Sequence, residues 1–227
     1  MSASNAQATP ETEPKFFAWL SALSHVTGLG QSATESSIDQ TEEFKRLQKE
    51  EAEWTQCEKW KSYTMKWDPS VVFILKHLSL SGCPTTAASI HCAPCDNTKA
   101  GGFSSDLGVL LCQNRLVDKA HMGDTLSHEL IHMYDHCKFN VDWTNLRHHA
   151  CSEIRAANLS GDCAWWQEFK RGHYETTNAQ AKCVRRRAIL SVEANPACPS
   201  RKAAEEAVDD VWDSCKPDTR PFDRLFK

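Results

Sequence analysis

A His-Glu-x-x-His pattern at residues 128–132 is the part of the sequence best suited to chemistry. Positions four residues apart share one face of an α-helix, so His128 and His132 can direct ring nitrogens at a single zinc ion. Glu129 lies one position further round, where its carboxylate can take a proton from an attacking water. The pattern therefore predicts a zinc-dependent peptidase with one zinc ion as cofactor and Glu129 as the catalytic residue.

The residues around this pattern favour a helix. Leu126, Leu130, Met133 and Tyr134 form an apolar stripe at helical spacing. No Gly or Pro falls between residues 124 and 137, and Asp124 is a candidate N-cap. We therefore expect a buried helix with a polar edge that carries the metal ligands.

A catalytic zinc ion usually has three protein ligands and one open position. We favour Glu153 as the third ligand, because it falls on a second helix, predicted to begin at Trp143, that can cross the site as an antiparallel neighbour. Asp135 shares a face with His128 but lies too far along the helix, so we expect it to orient His132 instead. The alternatives that stay open are Asp135, His136, His148 and His149.

Residues 107–114 have the best strand pattern in the chain. If this is an edge strand, the backbone of Val109, Leu110, Leu111 and Cys112 can pair with an extended substrate. A plain sheet strand without substrate contact is the equally weighted alternative. Further helices are predicted at about 38–65, 69–80, 164–170, 178–191 and 201–215. The predicted fold class is α+β: a mostly helical, zincin-like metallopeptidase with a small antiparallel sheet beside the 128–132 helix.

The predicted domain organisation is simple. Residues 1–37 are expected to form an N-terminal tail that is partly disordered, because the segment begins with a polar stretch. Residues 38–227 are expected to form one metallopeptidase domain, with the zinc-site core at about 101–163 and a helical C-terminal part at 164–216.

The chain has eleven cysteines, and this number bears on the redox conditions of its cellular compartment. In a reducing compartment they would be thiols or zinc ligands, whereas in an oxidising one they would form disulfides with one left over. The first residues resemble neither a secretory signal nor an arginine-rich transit peptide, since Glu11 and Glu13 precede Lys15. Many cysteines without a secretory address favour the mitochondrial intermembrane space, where disulfide formation can retain an imported chain.

Cys92 and Cys95 have the spacing of a metal knuckle or a redox pair. A structural zinc ion would need two more thiols, and only Cys83 and Cys112 are near in sequence. We favour structural disulfides, with a second zinc ion and redox activity as alternatives.

Charge and hydropathy indicate whether the chain is suited to bind nucleic acid or a membrane. A net charge of −4 gives no electrostatic footprint for nucleic acid, which disfavours a cytosolic zinc protease of the DNA-repair type. No apolar run of about 18 residues is present, so a membrane association would be peripheral. Arg185, Arg186 and Arg187 are either a solvated helix face or a contact with anionic lipid.

Several segments, in order, resemble the mitochondrial inner membrane metalloproteases that process and help to assemble ATP synthase, in a fungal form. The resemblance covers about residues 91–223 and is most specific between Cys151 and Cys163. Its segments are residues 101–103, 107–114, 125–132, 141–143, 149–163, 183–188, 211–215 and 218–222.

This resemblance implies a zinc metalloendopeptidase, bound peripherally to the inner membrane on its intermembrane-space side. It implies cleavage of the precursor of ATP synthase subunit 6, action on other proteins of that compartment, and a role in assembling the membrane sector. The alternative is an assembly factor in which peptidase activity is secondary. The family's zinc-binding His and catalytic Glu fall on His128, His132 and Glu129. Disulfides are favoured over a second zinc ion, and Cys137 and Cys151 are a candidate pair joining the two metal-holding helices.

Overall fold

The computed structural model describes residues 34–96, 99–174 and 178–223. Within these ranges it has seven α-helices and three strands, so the predicted α+β, mostly helical fold class is confirmed. The helices are α1 (Thr34–Trp67), α2 (Pro69–Leu80), α3 (Lys119–Lys138), α4 (Leu146–Leu159), α5 (Trp165–Lys170), α6 (Ala179–Glu193) and α7 (Arg201–Cys215). The strands are β1 (Ile90–Ala93), β2 (Gly101–Ser104) and β3 (Gly108–Cys112).

The sheet is mixed, where a purely antiparallel one was expected. Its order is β1-β3-β2, with β1 parallel to β3 and β2 antiparallel to it. The prediction of an edge strand at Val109, Leu110, Leu111 and Cys112 is wrong, because β1 pairs with all four residues and β2 covers the other side of the strand. Among the described strands, β2 is the one that lies at an edge beside α3.

The two site helices begin where their caps place them. Asp118 caps α3 by accepting a hydrogen bond from the His121 N–H at 2.7 Å, so Asp124 lies inside the helix and is not its cap. Asn145 caps α4, because its side-chain oxygen accepts from the N–H groups of Arg147 and His148, so the helix begins at Leu146 and not at the predicted Trp143. Both helices therefore have a fixed start that sets which residues face the site.

Two hydrophobic clusters hold α3 and α4 in place. The first packs α2, the sheet and the apolar stripe of α3, including the fully buried Leu126 and Leu130. The second packs α4 on α6 and α7, with Ile154 and Val184 among its buried members. Since α4 contributes to both clusters, the relative position of the two site helices is set by continuous packing.

Five disulfides staple the chain, as the sequence predicted. They are Cys57–Cys92, Cys83–Cys137, Cys95–Cys112, Cys151–Cys215 and Cys163–Cys183, and Cys198 is the free cysteine of the described residues. The candidate Cys137–Cys151 pair does not form, because Cys137 at the end of α3 binds Cys83 just beyond α2, while Cys151 binds Cys215 at the end of α7. Because Cys92 and Cys95 bind different partners, neither a second zinc knuckle nor a redox pair is formed.

The contact pattern divides the chain into residues 1–55 and 56–227. In the first unit, exposed pairs one turn apart, such as Lys45 with Glu42 at 2.7 Å, support the beginning of α1. The second unit contains the sheet and α2 to α7. Most of the predicted tail, residues 1–33, lies outside the described residues, so the boundary at residue 37 stays a prediction. None of the helices in the described ranges combines the length and hydropathy needed to span a membrane.

Candidate metal centre

Three side chains from α3 and α4 converge on one point. One donor atom each of His128, His132 and Glu153 lies within 4.8 Å of the other two. His128 Nε2 is 3.5 Å from Glu153 Oε2, and His132 Nε2 is 3.4 Å from Glu153 Oε1. The helix carrying the His-Glu-x-x-His pattern and its neighbour thus bring together the three residues predicted as ligands.

These separations fit a tetrahedral metal ion. With bonds of about 2.0–2.1 Å to nitrogen and oxygen, two ligands of a tetrahedral zinc ion lie roughly 3.3–3.4 Å apart. The two nitrogen–oxygen distances, one to each oxygen of the Glu153 carboxylate, are within about 0.2 Å of this value. Two imidazoles and one carboxylate are also a donor set that suits a catalytic zinc site with an open fourth position.

A chain of buried hydrogen bonds fixes the ring of His132. Its Nδ1 lies 2.8 Å from Ser152 Oγ, and that hydroxyl donates to Asp135 Oδ2 at 2.9 Å. Since the single hydroxyl proton is used by Asp135, Ser152 accepts from the Nδ1–H of His132, which makes Nε2, the nitrogen directed at Glu153, the one that a metal ion would bind. Asp135 is held in turn by Arg155, with Nη2 at 2.9 Å from Oδ1.

Glu153 has its own set of supports. Its Oε1 accepts hydrogen bonds from the hydroxyl of Ser191 at 2.6 Å and from His149 Nε2 at 3.2 Å. The Asn195 amide donates to His149 Nδ1 at 2.9 Å, which places the ring proton of His149 on Nε2. His149 therefore orients the carboxylate of Glu153 and does not itself complete the three-residue cluster.

The buried carboxylates and imidazoles of the site shift one another's pKa values. Burial alone would raise the pKa of Glu153, but the charge of His132 and hydrogen bonds from His128, His132 and His149 hold it well below 4.5. Burial lowers the pKa of His132, yet Glu153, Glu129 and Asp135 together raise it to about 9. The same carboxylates attract a metal ion to this position.

Glu129 lies beside the cluster, in a tight contact with the sheet. A Cβ added at Gly101 would lie 3.1 Å from Glu129 Oε1 and 2.9 Å from Thr125 Cγ2. Only glycine lets β2 approach α3 this closely. Burial raises the pKa of Glu129, opposed by the charges of His128 and His132, as expected for a group that must accept a proton.

A cleft of about 700 Å³ opens in front of these residues. β2 lines one side through Gly101, Gly102 and Phe103, while β3 does not line it. Farther along, the cleft is bordered by Asp124 and Asp162. Burial raises the pKa of Asp124 to about 6, despite a hydrogen bond from Gln167.

The arginine run of α6 is neither a free solvated face nor a free cationic patch. Arg185 binds Asp209 at 2.8 Å, Arg186 binds Glu168 at 2.9 Å, and Arg187 pairs with Asp162 at the cleft. Each guanidinium is thus engaged by a carboxylate of the same chain.

The remaining candidates lie outside the cluster. His136 accepts a hydrogen bond from the indole of Trp143, and His148 accepts one from the N–H of Asp142, both in exposed positions. Sequence reasoning missed Ser152, Ser191 and Gly101. No local pattern identifies the two serines, because their contacts depend on how α4 and α6 cross the site.

The chain is similar in sequence to known proteins, of which three are described. The chain is 43% identical over 217 residues to the Mitochondrial inner membrane protease ATP23 of Saccharomyces cerevisiae, covering 92% of this chain and 95% of that protein. It is 42% identical over 214 residues to the protein of that name in Emericella nidulans, covering 93% and 88%. With the Malassezia globosa protein the identity is 50% over 186 residues, covering 74% and 76%.

No solved structure matches the chain. The model of the Peptidase M76 family matches residues 55–223 of the chain. This range includes both site helices and the whole sheet. The chain therefore belongs to the Peptidase M76 family and is a metallopeptidase.

Proposed function

We propose that this chain is a zinc metalloendopeptidase that acts at the mitochondrial inner membrane. His128, His132 and Glu153 hold the zinc ion and Glu129 is the catalytic base. The observation that carries the proposal is the convergence of donor atoms from two imidazoles and one carboxylate within 4.8 Å of one another, with a buried glutamate next to them.

The residues of the site have separate roles in the proposed reaction. Zinc, when bound, supplies a Lewis acid that polarises the scissile carbonyl and favours ionisation of water. Glu129 takes the proton of the attacking water and passes it to the leaving amine, for which its raised pKa is suited. Ser152 and Asp135 keep the His132 ring in the metal-binding tautomer. Ser191 and His149 hold the carboxylate of Glu153 in place by hydrogen bonds to its Oε1.

β2 is the strand that suits substrate binding. It lies at the edge of the sheet, beside the cleft, and Gly101 and Gly102 present backbone without side chains. An extended peptide pairing with this edge would pass in front of Glu129. This gives β2 the role that the sequence suggested for the neighbouring strand.

The names of the relatives support the proposed location, and the family resemblance of the sequence suggests the substrates. Those proteins are named mitochondrial inner membrane proteases, and the five disulfides of this chain suit the oxidising intermembrane space. We therefore propose peripheral binding on that side of the membrane. The proposed substrates are the precursor of ATP synthase subunit 6 and other proteins of that compartment, together with a role in assembling the membrane sector of ATP synthase.

Complementation with Glu129→Gln separates cleavage from assembly. The variant is expressed in yeast cells lacking their own related protease, with Glu206→Gln on the exposed face of α7 as the matched control. We expect the control to restore both precursor cleavage and complex assembly, and Glu129→Gln to restore assembly alone. Normal cleavage by Glu129→Gln would refute its catalytic role, and failure of both readouts in a folded, zinc-loaded variant would refute a separate assembly role.

The third ligand has its own test. Glu153→Gln should lose the bound zinc ion, measured by metal analysis of the purified chain, while Glu206→Gln keeps it. One zinc ion per chain retained by Glu153→Gln would show that another residue completes the site.

A further inference from the structure

Helix α5 carries its aromatic residues on the outside. Trp165, Trp166 and Phe169 are 54%, 56% and 42% exposed, and Tyr174 just beyond the helix is 70% exposed. Their rings contact one another: Phe169 lies 5.6 Å from Trp165, 5.8 Å from Trp166 and 5.2 Å from Tyr174, between ring centroids. We call these four residues the aromatic surface.

The inner side of the same helix is polar. Glu168 is buried and binds Arg171 at 3.0 Å and Arg186 at 2.9 Å. Gln167 donates to Asp124 at 2.7 Å, which ties the helix to the rim of the cleft. A helix that packs on a protein core has the opposite arrangement, so α5 is held by ion pairs while its apolar side is presented outward.

The size and composition of the aromatic surface fit a membrane interface. With about 150–250 Å² per aromatic side chain, these exposed fractions correspond to roughly 400 Å² of ring surface, as large as the functional patches of typical monomers. Trp and Tyr are the side chains enriched at the level of lipid headgroups, because one end of the ring is apolar and the other donates hydrogen bonds. The four rings do not line the cleft, so a substrate in the cleft would not cover them.

The charge beside the rings complements an anionic bilayer. Lys170 is exposed, with its Nζ 5.7 Å from the centroid of the Trp166 ring. Glu168, the acidic residue between Trp165 and Tyr174, is buried, and its negative charge is balanced by ion pairs with two arginines. The surface therefore presents aromatic rings and a positive charge, and no exposed carboxylate of α5.

We propose that the aromatic surface, with Lys170, docks this chain on an anionic phospholipid bilayer. The proposal deepens the peripheral membrane location of the proposed function and rests on it. Gln167 donates to Asp124 and Arg171 pairs with Asp162, and both acids line the cleft, so docking through α5 brings this side of the cleft near the membrane.

Vesicle flotation tests the docking. The full chain is mixed with phosphatidylcholine vesicles that contain cardiolipin, and with vesicles of phosphatidylcholine alone. The test variant is Trp165→Ser/Trp166→Ser. The matched control is Trp67→Ser, because Trp67 is 62% exposed and also has a lysine, Lys66, 5.0 Å from its ring centroid. Cleavage of a soluble peptide is measured with every protein.

We expect the double variant to bind cardiolipin vesicles about tenfold more weakly, and Trp67→Ser to bind like the wild type. Brominated lipid should quench tryptophan fluorescence in the wild type and lose most of that effect in the double variant. Lys170→Glu, which leaves the rings in place, should weaken binding to the cardiolipin vesicles. Soluble-peptide cleavage should stay unchanged in all of these proteins.

Three results would overturn the docking surface. They are unchanged vesicle binding by the double variant, an equal loss in the Trp67→Ser control, and lost peptide cleavage with vesicle binding retained, which would make the rings part of substrate binding. A wild-type chain that cleaves peptide but binds no vesicle would also refute the docking surface, and would leave the proposed peptidase activity standing.

Discussion

Ser152→Ala should weaken zinc binding without removing any metal ligand. The hydroxyl of Ser152 accepts from His132 Nδ1 at 2.8 Å and donates to Asp135 at 2.9 Å. Alanine fits the same space but provides neither bond. The ring of His132 then loses the contact that selects its tautomer, and a buried N–H is left without an acceptor.

The expected size of the effect follows from these two bonds. A hydrogen bond in which one partner is charged contributes about 1.5–3 kcal/mol. Loss of a group that orients a metal-binding histidine lowers metal affinity by about tenfold to a hundredfold. These two values agree, since a tenfold to hundredfold change corresponds to about 1.4–2.8 kcal/mol. We therefore expect zinc affinity to fall by this factor.

Competition with a chromophoric chelator measures the zinc affinity. Ser214→Ala is the control, because the hydroxyl of Ser214 donates to Val211 O at an exposed position of α7. Peptide cleavage by Ser152→Ala should be low at limiting zinc and should recover substantially as zinc is added. A zinc affinity equal to that of the wild type would refute the role given to Ser152.

Three further outcomes are expected. Gly101→Ala should lower the unfolding free energy by about 1–3 kcal/mol and reduce peptide cleavage, because its methyl group would lie 2.9 Å from a side-chain carbon of α3; Gly102→Ala, with nothing within 4 Å, should do neither in the same urea denaturation and activity assays. Asp124→Asn should stabilise the chain above pH 6 and not below pH 3.8, since the raised pKa of this acid means that the folded state loses stability as pH rises through that window; urea denaturation at the two pH values measures the difference, which solvent screening keeps below the roughly 3 kcal/mol of the full shift. Cys163→Ser/Cys183→Ser opens a disulfide that spans 20 residues and should lower the unfolding free energy by about 3 kcal/mol; an unchanged urea midpoint would contradict this.

The parts of the site that could be predicted are those encoded along one helix or by a pair of helices. The spacing of His128, Glu129 and His132 predicts one ligand-bearing face by helical geometry alone, and the structure brings Glu153 to that face from α4. Asp135 is predicted to orient His132. In the structure its carboxylate reaches that ring through the hydroxyl of Ser152, which lies between the two side chains. The sequence cannot show this intermediary, because it depends on the distance between two helices.

The parts that could not be predicted depend on pairing between distant segments. A strand pattern at 108–112 does not say which strands flank it, so the central position of β3 was missed. The same holds for cysteine pairing, where Cys137 and Cys151 are close in sequence but bind the distant Cys83 and Cys215. The outward aromatic side of α5 also violates the rule by which helix orientation is read from sequence, as surfaces that bind other molecules often do.

Anomalous diffraction at the zinc absorption edge, on crystals of the active protein, locates the metal ion and identifies its ligands. We expect one strong peak within bonding distance of His128 Nε2, His132 Nε2 and a carboxylate oxygen of Glu153. A peak bound by His149 or Asp135 in place of Glu153, or crystals of fully active protein without a peak at this position, would contradict this expectation.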